Sequence, residues 1–261
     1  MSSKLVSIIT PNYNSSKFIE ETIASVQAQI YSHWEMLITD DGSTDNSIEI
    51  IRMLSKKDPR IKLFMIKNSG PAMARNNSIK HAKGSYLAFL DSDDLWMPEF
   101  LSTSINYILK SEGFVFSSYK RCNENTLKEQ FKDFIVPQKV TYMDILKTNS
   151  ISCLTAFIDV EKLGKYFMPD IRYRQDMGLW LKYLHQIKYA VGIKKTLAIY
   201  RIRKESLSRN KKKLVIHQWY FYRKIENLSF ITSIYLMLLW AYNGIKKYDF
   251  YRSSFNTKIK K

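Results

Sequence analysis

The residues best placed to do chemistry are Asp91, Asp93 and Asp94, which interrupt the stretch SYLAFLDSDDLWMP at 85–98. The apolar run Tyr86–Leu90 is short and closed by turn residues, which predicts a buried strand. Pro98 suits the first turn of a helix, and Leu101, Ile105, Ile108 and Leu109 recur beyond it at helical spacing. Carboxylates at the carboxyl end of such a strand lie where an open α/β sheet binds its ligands. Three of them this close repel one another, and a hard divalent cation (Mg²⁺ or Mn²⁺) relieves that repulsion. Such a cation typically uses one or two carboxylates together with phosphate oxygens. Asp91 and Asp93, two apart, are the pair for it. Taken alone, a D-x-D is more often a solvated acidic turn that caps a helix, so its weight depends on what else reaches the same place.

Strand and helix signals alternate through the first hundred residues. Val6–Thr10 reads as a strand ending in the turn Pro11-Asn12-Tyr13-Asn14, with Ser15 or Ser16 expected to cap a helix carrying Ile19, Ile23, Val26 and Ile30. Glu35–Thr39 reads as a second strand, ending in Asp40-Asp41-Gly42, and Ile48, Ile51 and Leu54 mark the next helix. Ile61–Ile66 follows as a strand, then Gly70–Lys83 as a helix. This β-α-β-α pattern predicts a mainly parallel sheet flanked by helices. Tyr13, Asp40, Asp41, Asp91 and Asp93 should then meet at one sheet edge. An aromatic ring there can stack on a nucleobase, and a carboxylate can accept hydrogen bonds from a base or a ribose. The metal carboxylates would hold a diphosphate. A nucleotide diphosphate bound in this way reads as an activated donor. Neither G-x-G-x-x-G nor G-x-x-x-x-G-K-[ST] occurs, against a dinucleotide enzyme or a P-loop kinase.

Three segments in order, VSIITPNYN, ITDDGSTD and GPAMARNNSIKHAKGSYLAFLDSDD, resemble the nucleotide-sugar domain of family 2 glycosyltransferases over about the first 110 residues. The resemblance implies a GT-A fold. It implies that Pro11 and Tyr13 hold the nucleobase, that Asp41 contacts the uracil of a UDP-sugar and that Arg75 lies near the nucleotide. It also implies that Asp93 is the metal ligand, with Asp91 beside it. Ser78 stands where the family more often has glycine.

Beyond residue 110, Phe114–Tyr119 and Ser152–Asp159 read as strands, Asn123–Gln138 as a polar loop, and Tyr142–Leu146 as a short helix. Val160–Leu163 reads as a helical turn stopped by Gly164. Met177, Trp180, Leu181 and Leu184 share a helical face, so Asp176 falls in the first turn of that helix. A lone aspartate there can simply cap the helix. The segment also resembles the E-D or Q-D element of the family, whose aspartate is the base that deprotonates the acceptor hydroxyl during inverting transfer. Val191–Ile193 and Leu197–Ile202 read as two strands around Lys194-Lys195. The stretch 200–209, YRIRKESLSR, resembles a family element that closes over the donor, and many relatives have histidine where Arg203 stands. His33, His81, His185 and His217 show no metal-ligand spacing.

The charge of +17 is uneven: from Arg201 onward there are 15 Lys/Arg against 3 Asp/Glu, and before it 26 against 21. Basicity therefore belongs to the tail, and nucleic acid is not the expected partner of the main domain. The tail is also aromatic, and Phe230–Tyr242 is almost wholly apolar yet spans only about 20 Å as a helix, short of a bilayer core. It suits either a helix pair packed on the catalytic domain or an anionic membrane interface. The two cysteines, Cys122 and Cys153, lie far apart, which fits a reducing cytosol. The start MSSKLVSIIT lacks a signal-peptide apolar stretch. The expected organisation is a GT-A domain over 1–210, with a donor half (1–110) and an acceptor half (111–210), followed by a helical extension over 211–261. The tail, with QDMGLW, resembles enzymes of teichuronic acid, capsule and O-antigen assembly, which implies a lipid-linked sugar or other glycan acceptor at the inner face of the cytoplasmic membrane. Two rivals stay open. A sugar-nucleotide nucleotidyltransferase would share the acidic nucleotide site but has no use for Asp176. A non-catalytic nucleic-acid-binding protein is favoured by charge alone.

Overall fold

The computed structural model describes residues 4–203 and 211–256. Its centre is a ten-stranded sheet. The first half is parallel. Strand β1 (Val6–Asn12) lies between β2 (Trp34–Asp40) and β4 (Tyr86–Phe89), and β2 pairs outward with β3 (Ile61–Met65). Helices α1 (Ile19–Gln27), α2 (Ser47–Lys57) and α3 (Pro71–His81) make the crossovers. Alternate residues of each strand face opposite ways, and both faces are covered. Val6, Ile8, Met36, Ile38, Tyr86 and Ala88 belong to one apolar cluster with α1, while Ile9, Leu37, Leu87 and Phe89 belong to another with α3.

The second half is mixed. Strand β9 (Phe157–Asp159) runs antiparallel to β4 and to β6 (Phe114–Asn123), β6 pairs parallel with β10 (Ala190–Ile202), and β10 pairs antiparallel with the two-residue β5 (Leu95–Trp96). Helix α4 (Phe100–Ile108) joins β5 to β6. Pro98 precedes it by two residues and lies outside its first turn.

Four local expectations are corrected. The polar stretch 123–138 contains a strand, β7 (Glu129–Phe134), which pairs with β6 and stacks Phe134 on Tyr119. The two strands expected around Lys194-Lys195 are one, since β10 absorbs the lysines as an irregularity in its register between Ile193 and Thr196. Only Phe157–Asp159 of the expected strand 152–159 is extended, because Cys153–Thr155 forms a 3-10 turn. Neither Ser15 nor Ser16 caps α1 through its side chain; the Ser15 carbonyl accepts from the Phe18 and Ile19 amides. Ser78, in place of the more usual glycine, is fully buried and bonds Thr39 at 2.7 Å and the Leu37 carbonyl at 2.9 Å, so its hydroxyl ties α3 to β2.

A further short strand, β8 (Lys139–Val140), pairs with the start of β10. A Cβ on Gly192 would lie 1.9 Å from the Pro137 carbonyl oxygen, so only glycine lets the chain cross β10 there. Helix α5 (Tyr142–Lys147) starts with a capping box between Thr141 and Asp144. Helix α6 (Val160–Leu163) is capped by Asp159. Helix α7 (Gln175–Leu184) buries Met177, Trp180, Leu181 and Leu184 as its spacing predicts. In the tail, α8 (Lys211–Tyr220) runs into a π-helical stretch, Phe221–Ile225, and then α9 (Phe230–Asn256). Phe221, Tyr222 and Leu236 are buried in the same cluster as α7, and Tyr142 donates to Glu226 at 2.8 Å. The tail therefore packs against α5 and α7 through one face.

Candidate active site

Parallel pairing brings the carboxyl ends of β1, β2 and β4 to one edge. Asn12 stands opposite Asp40, and Ile9 opposite Phe89, so Asp91 begins its turn level with the end of β1. The turns are then bonded to one another. Ser15 Oγ meets Ser92 Oγ at 2.7 Å, and Thr22 donates to the Ser92 and Asp94 carbonyls. Asn14, in the left-handed region at φ 48°, accepts from the Thr44 amide at 2.8 Å, while Asp45 accepts from the Ser16 amide at 2.9 Å. This lattice leaves the Tyr13 side chain half exposed at the rim, just after Pro11.

The two aspartates of the second turn do different work. Asp40 accepts from Asn12 at 2.7 Å and from the Gly42 and Ser43 amides at 3.0 and 2.8 Å, and so shapes the turn itself. Asp41 is buried, and its two oxygens accept from the Ser69 and Gly70 amides at 2.7 and 2.8 Å. Those amides precede α3, where Gly70 at φ 92° makes the bend that lets Pro71 open the helix. Asp41 thus fixes the entry of the helix that carries Arg75. Each carboxylate oxygen has a second lone pair for a ligand.

Arg75 is buried on α3 and reaches Asp91 Oδ1 at 2.5 Å. Burial, the largest single influence, would favour its neutral form, but the Asp91 charge, the hydrogen bond to Asp91 and the nearby Cys153 and Asp176 together outweigh it and hold its pKa above the ordinary value. Asp93 is pushed up by burial and by the neighbouring Asp91 charge, against the Arg203 guanidinium that contacts it at 3.0 Å. Asp94 is fully enclosed and pushed well up by burial and by Asp93. It accepts from the Arg201 amide at 2.8 Å, so it anchors β10 to the acidic turn.

Asp176 is the second residue of α7 and accepts from Asn149 at 3.2 Å. It follows Arg174, which stands in the left-handed region at φ 66°. Burial lowers the Arg174 pKa, against the Asp176 charge that supports it. The buried Cys153 thiol feels Arg75, Asp91, Asp176 and Asp94 together, so the α7 aspartate and the acidic turn face one region although 82 residues of sequence lie between Asp93 and Asp176. Of the predicted site residues, Asp91, Asp93, Arg75 and Asp176 come together here, and Pro11, Tyr13 and Asp41 lie at or just after the adjoining ends of β1 and β2.

Among the described residues no three His, Cys, Asp or Glu side chains group as a metal-ligand set. The pair Asp91 and Asp93 still fits a cation carried in on a diphosphate, since the phosphate oxygens complete the shell. Burial first, and then the neighbouring Asp91 charge, disfavours the Asp93 carboxylate, and a cation bound between the pair would offset both. Three site residues escaped the sequence reading. Buried Arg201 donates to the Asp93 carbonyl at 2.9 Å and pairs with Glu21, and Asn149 orients Asp176. The signal for Arg201 was an arginine inside an otherwise apolar strand. Residues 204–210 of the stretch resembling a donor-closing element lie outside the described residues. Arg203 is the last residue before them and is paired with Asp93.

The sheet topology and the edge site define a GT-A fold, and the family model for "Glycosyl transferase family 2" matches residues 7–166. The chain belongs to this family and is a glycosyltransferase. It is 41% identical over 93% of its length to 97% of TuaG, a teichuronic acid biosynthesis glycosyltransferase of Bacillus subtilis. It is 37% identical over 96% of its length to 97% of WfgD from Escherichia coli, a UDP-Glc:α-D-GlcNAc-diphosphoundecaprenol β-1,3-glucosyltransferase. Among solved structures, S. aureus TarS 1-349 with UDP-GlcNAc aligns at a TM-score of 0.68 and 20% identity, covering 92% of this chain and 72% of that one. A mannosyltransferase of Pyrobaculum calidifontis in complex with GDP-Man and Mn²⁺ aligns at 0.59 and 19% identity, covering 86% of this chain and 64% of that one.

Proposed function

We propose that this glycosyltransferase moves a sugar, with inversion, from a UDP-sugar to a sugar on a lipid diphosphate carrier, in the assembly of a bacterial surface polysaccharide. The observation that carries the reading is the contact of buried Arg75 with Asp91 in the acidic turn, with the charge of Asp176 on α7 acting on the same guanidinium. The acceptor and pathway rest on the names of TuaG and WfgD, both matched over nearly their whole length.

In this reading Tyr13 stacks on the uracil, Pro11 lines the same edge, and Asp41 accepts from the base. Asp91 and Asp93 would hold a divalent cation (Mg²⁺ or Mn²⁺), which supplies charge neutralisation for the departing diphosphate when bound. Arg75 holds Asp91 in place and adds positive charge close to the same phosphates. Asn149 turns the Asp176 carboxylate toward the acceptor hydroxyl. Asp176 takes the hydroxyl proton as the acceptor oxygen bonds to the anomeric carbon, and the carbon–oxygen bond to the diphosphate breaks on the opposite side. One displacement gives inversion, and UDP leaves with the bonding electrons.

Calorimetry and a nucleotide-sugar screen test the reading together. UDP should bind more tightly than ADP or GDP, and UDP-sugars alone should be slowly hydrolysed without acceptor and rapidly consumed with a polyprenyl-diphosphate-linked N-acetylglucosamine. Equal affinity for the three nucleotides would remove the uracil edge. Diphosphate release from UTP and a sugar 1-phosphate, with no sugar transfer, would favour a nucleotidyltransferase instead.

A further inference from the structure

The packed tail presents a second face that remains exposed among the described residues. Along α9, Phe230, Ile231, Ile234, Tyr235, Leu238 and Tyr242 all point outward, with Ile231 81% and Leu238 67% exposed. Their spacing of three and four residues places them on one side of the helix. The opposite side carries the fully buried Ser233 and Leu236. A surface helix ordinarily shows polar side chains outward; here the outward stripe between Phe230 and Tyr242 contains no charge. On α8, Val215, Ile216 and Tyr220 are also exposed. An exposed apolar stripe such as that of α9 marks an interaction site.

Charge selects the occupant. Residues 201–261 carry 15 Lys/Arg against 3 Asp/Glu, with Lys211–Lys213 before the stripe and Lys246 and Lys247 after it in sequence. Self-association through this face would set two such segments against each other, and like charges brought together disfavour the contact. An anionic bilayer surface complements them. At about 1.5 Å per residue the apolar stretch is about 20 Å long, too short to span a hydrocarbon core of roughly 30 Å. No described helix is long and apolar enough to cross a membrane. Tyrosine rings at the stripe suit the headgroup boundary, where one end is apolar and the other wet.

We infer that the outward face of α9, with the exposed apolar residues of α8, lies flat on an anionic membrane surface, the apolar stripe in the acyl boundary and the flanking lysines and arginines among the headgroups. The inference deepens the proposal of a lipid-linked acceptor but rests on the α9 face, and vesicle binding is read without any sugar chemistry, so the two can fail separately. The test is flotation of the full chain with phosphatidylglycerol/phosphatidylcholine vesicles and with phosphatidylcholine alone. The full chain should float with the anionic vesicles at low salt and be partly released at high salt. Ile231→Asp with Leu238→Asp should lower the vesicle affinity roughly a hundredfold or more, the scale of losing two buried aliphatic side chains. The pair Ile231→Ser with Leu238→Ser removes the apolar surface without adding charge and should lose binding too, with thermal unfolding and UDP affinity unchanged for both pairs. Indifference to anionic vesicles would overturn the inference, as would substituted chains that float like the parent. So would a dimer of the parent chain that both pairs convert to monomer, since a second copy would then be what covers the face.

Discussion

Asp176→Asn should leave the affinity for the UDP-sugar unchanged while lowering turnover about 10²-fold or more, the scale of a lost general base. Asparagine is nearly the same size and can still accept from Asn149 through its amide oxygen, so the start of α7 should survive the change. What it cannot do is take a proton from the acceptor hydroxyl. The loss should therefore fall on kcat, because the interaction removed operates in the transition state and not in donor binding. The apolar face of α7 lies in the core, so unfolding would betray itself as a lowered Tm. Turnover within a few-fold of the parent would reduce Asp176 to a residue of the first helical turn.

Asp93→Ala should abolish transfer and with it the metal-dependent part of nucleotide binding, while the protein stays folded. Two features make the fold tolerant. Burial and the Asp91 charge already disfavour the Asp93 carboxylate, so removing it relieves a strain as well as losing a contact. Its partner Arg203 is partly exposed and can be rehydrated, unlike Arg75, which is enclosed and keeps Asp91. Calorimetry of UDP with and without Mg²⁺ or Mn²⁺ should show metal-enhanced affinity in the parent chain and none in the variant. Full activity of the parent in excess EDTA would contradict the assignment of Asp91 and Asp93 to a cation.

Much of this site was legible before any coordinates, and the reason is local. β1, β2 and β4 are parallel, buried on both faces and closed by turn residues, so their apolar runs, and the aspartates after β2 and β4, announce both the strands and the shared edge. What was not legible depends on distance or on context. Glu129–Phe134 has only Phe131 and Phe134 as apolar residues, three apart and not alternating, so it reads as loop, and its pairing with β6 is what makes it a strand. The Lys194-Lys195 pair looks like a break because charge inside a strand usually is one, whereas β10 bulges to keep both lysines exposed. Arg201 reaching Glu21 and the Asp93 carbonyl, and Asp41 caught by the Ser69 and Gly70 amides, join residues whose proximity only the fold creates. The α9 run left a packed helix and a membrane interface both open, and the fold shows one side packed with six large side chains facing outward on the other.

The stereochemistry of the product tests the central claim most directly. With an α-configured UDP-sugar as donor and a polyprenyl-diphosphate-linked sugar as acceptor, proton NMR of the isolated product reads the configuration at the transferred anomeric carbon. A single displacement assisted by Asp176 predicts a β-glycoside. An α-glycoside, formed with retention, would contradict the role given to Asp176 and the inverting reading together.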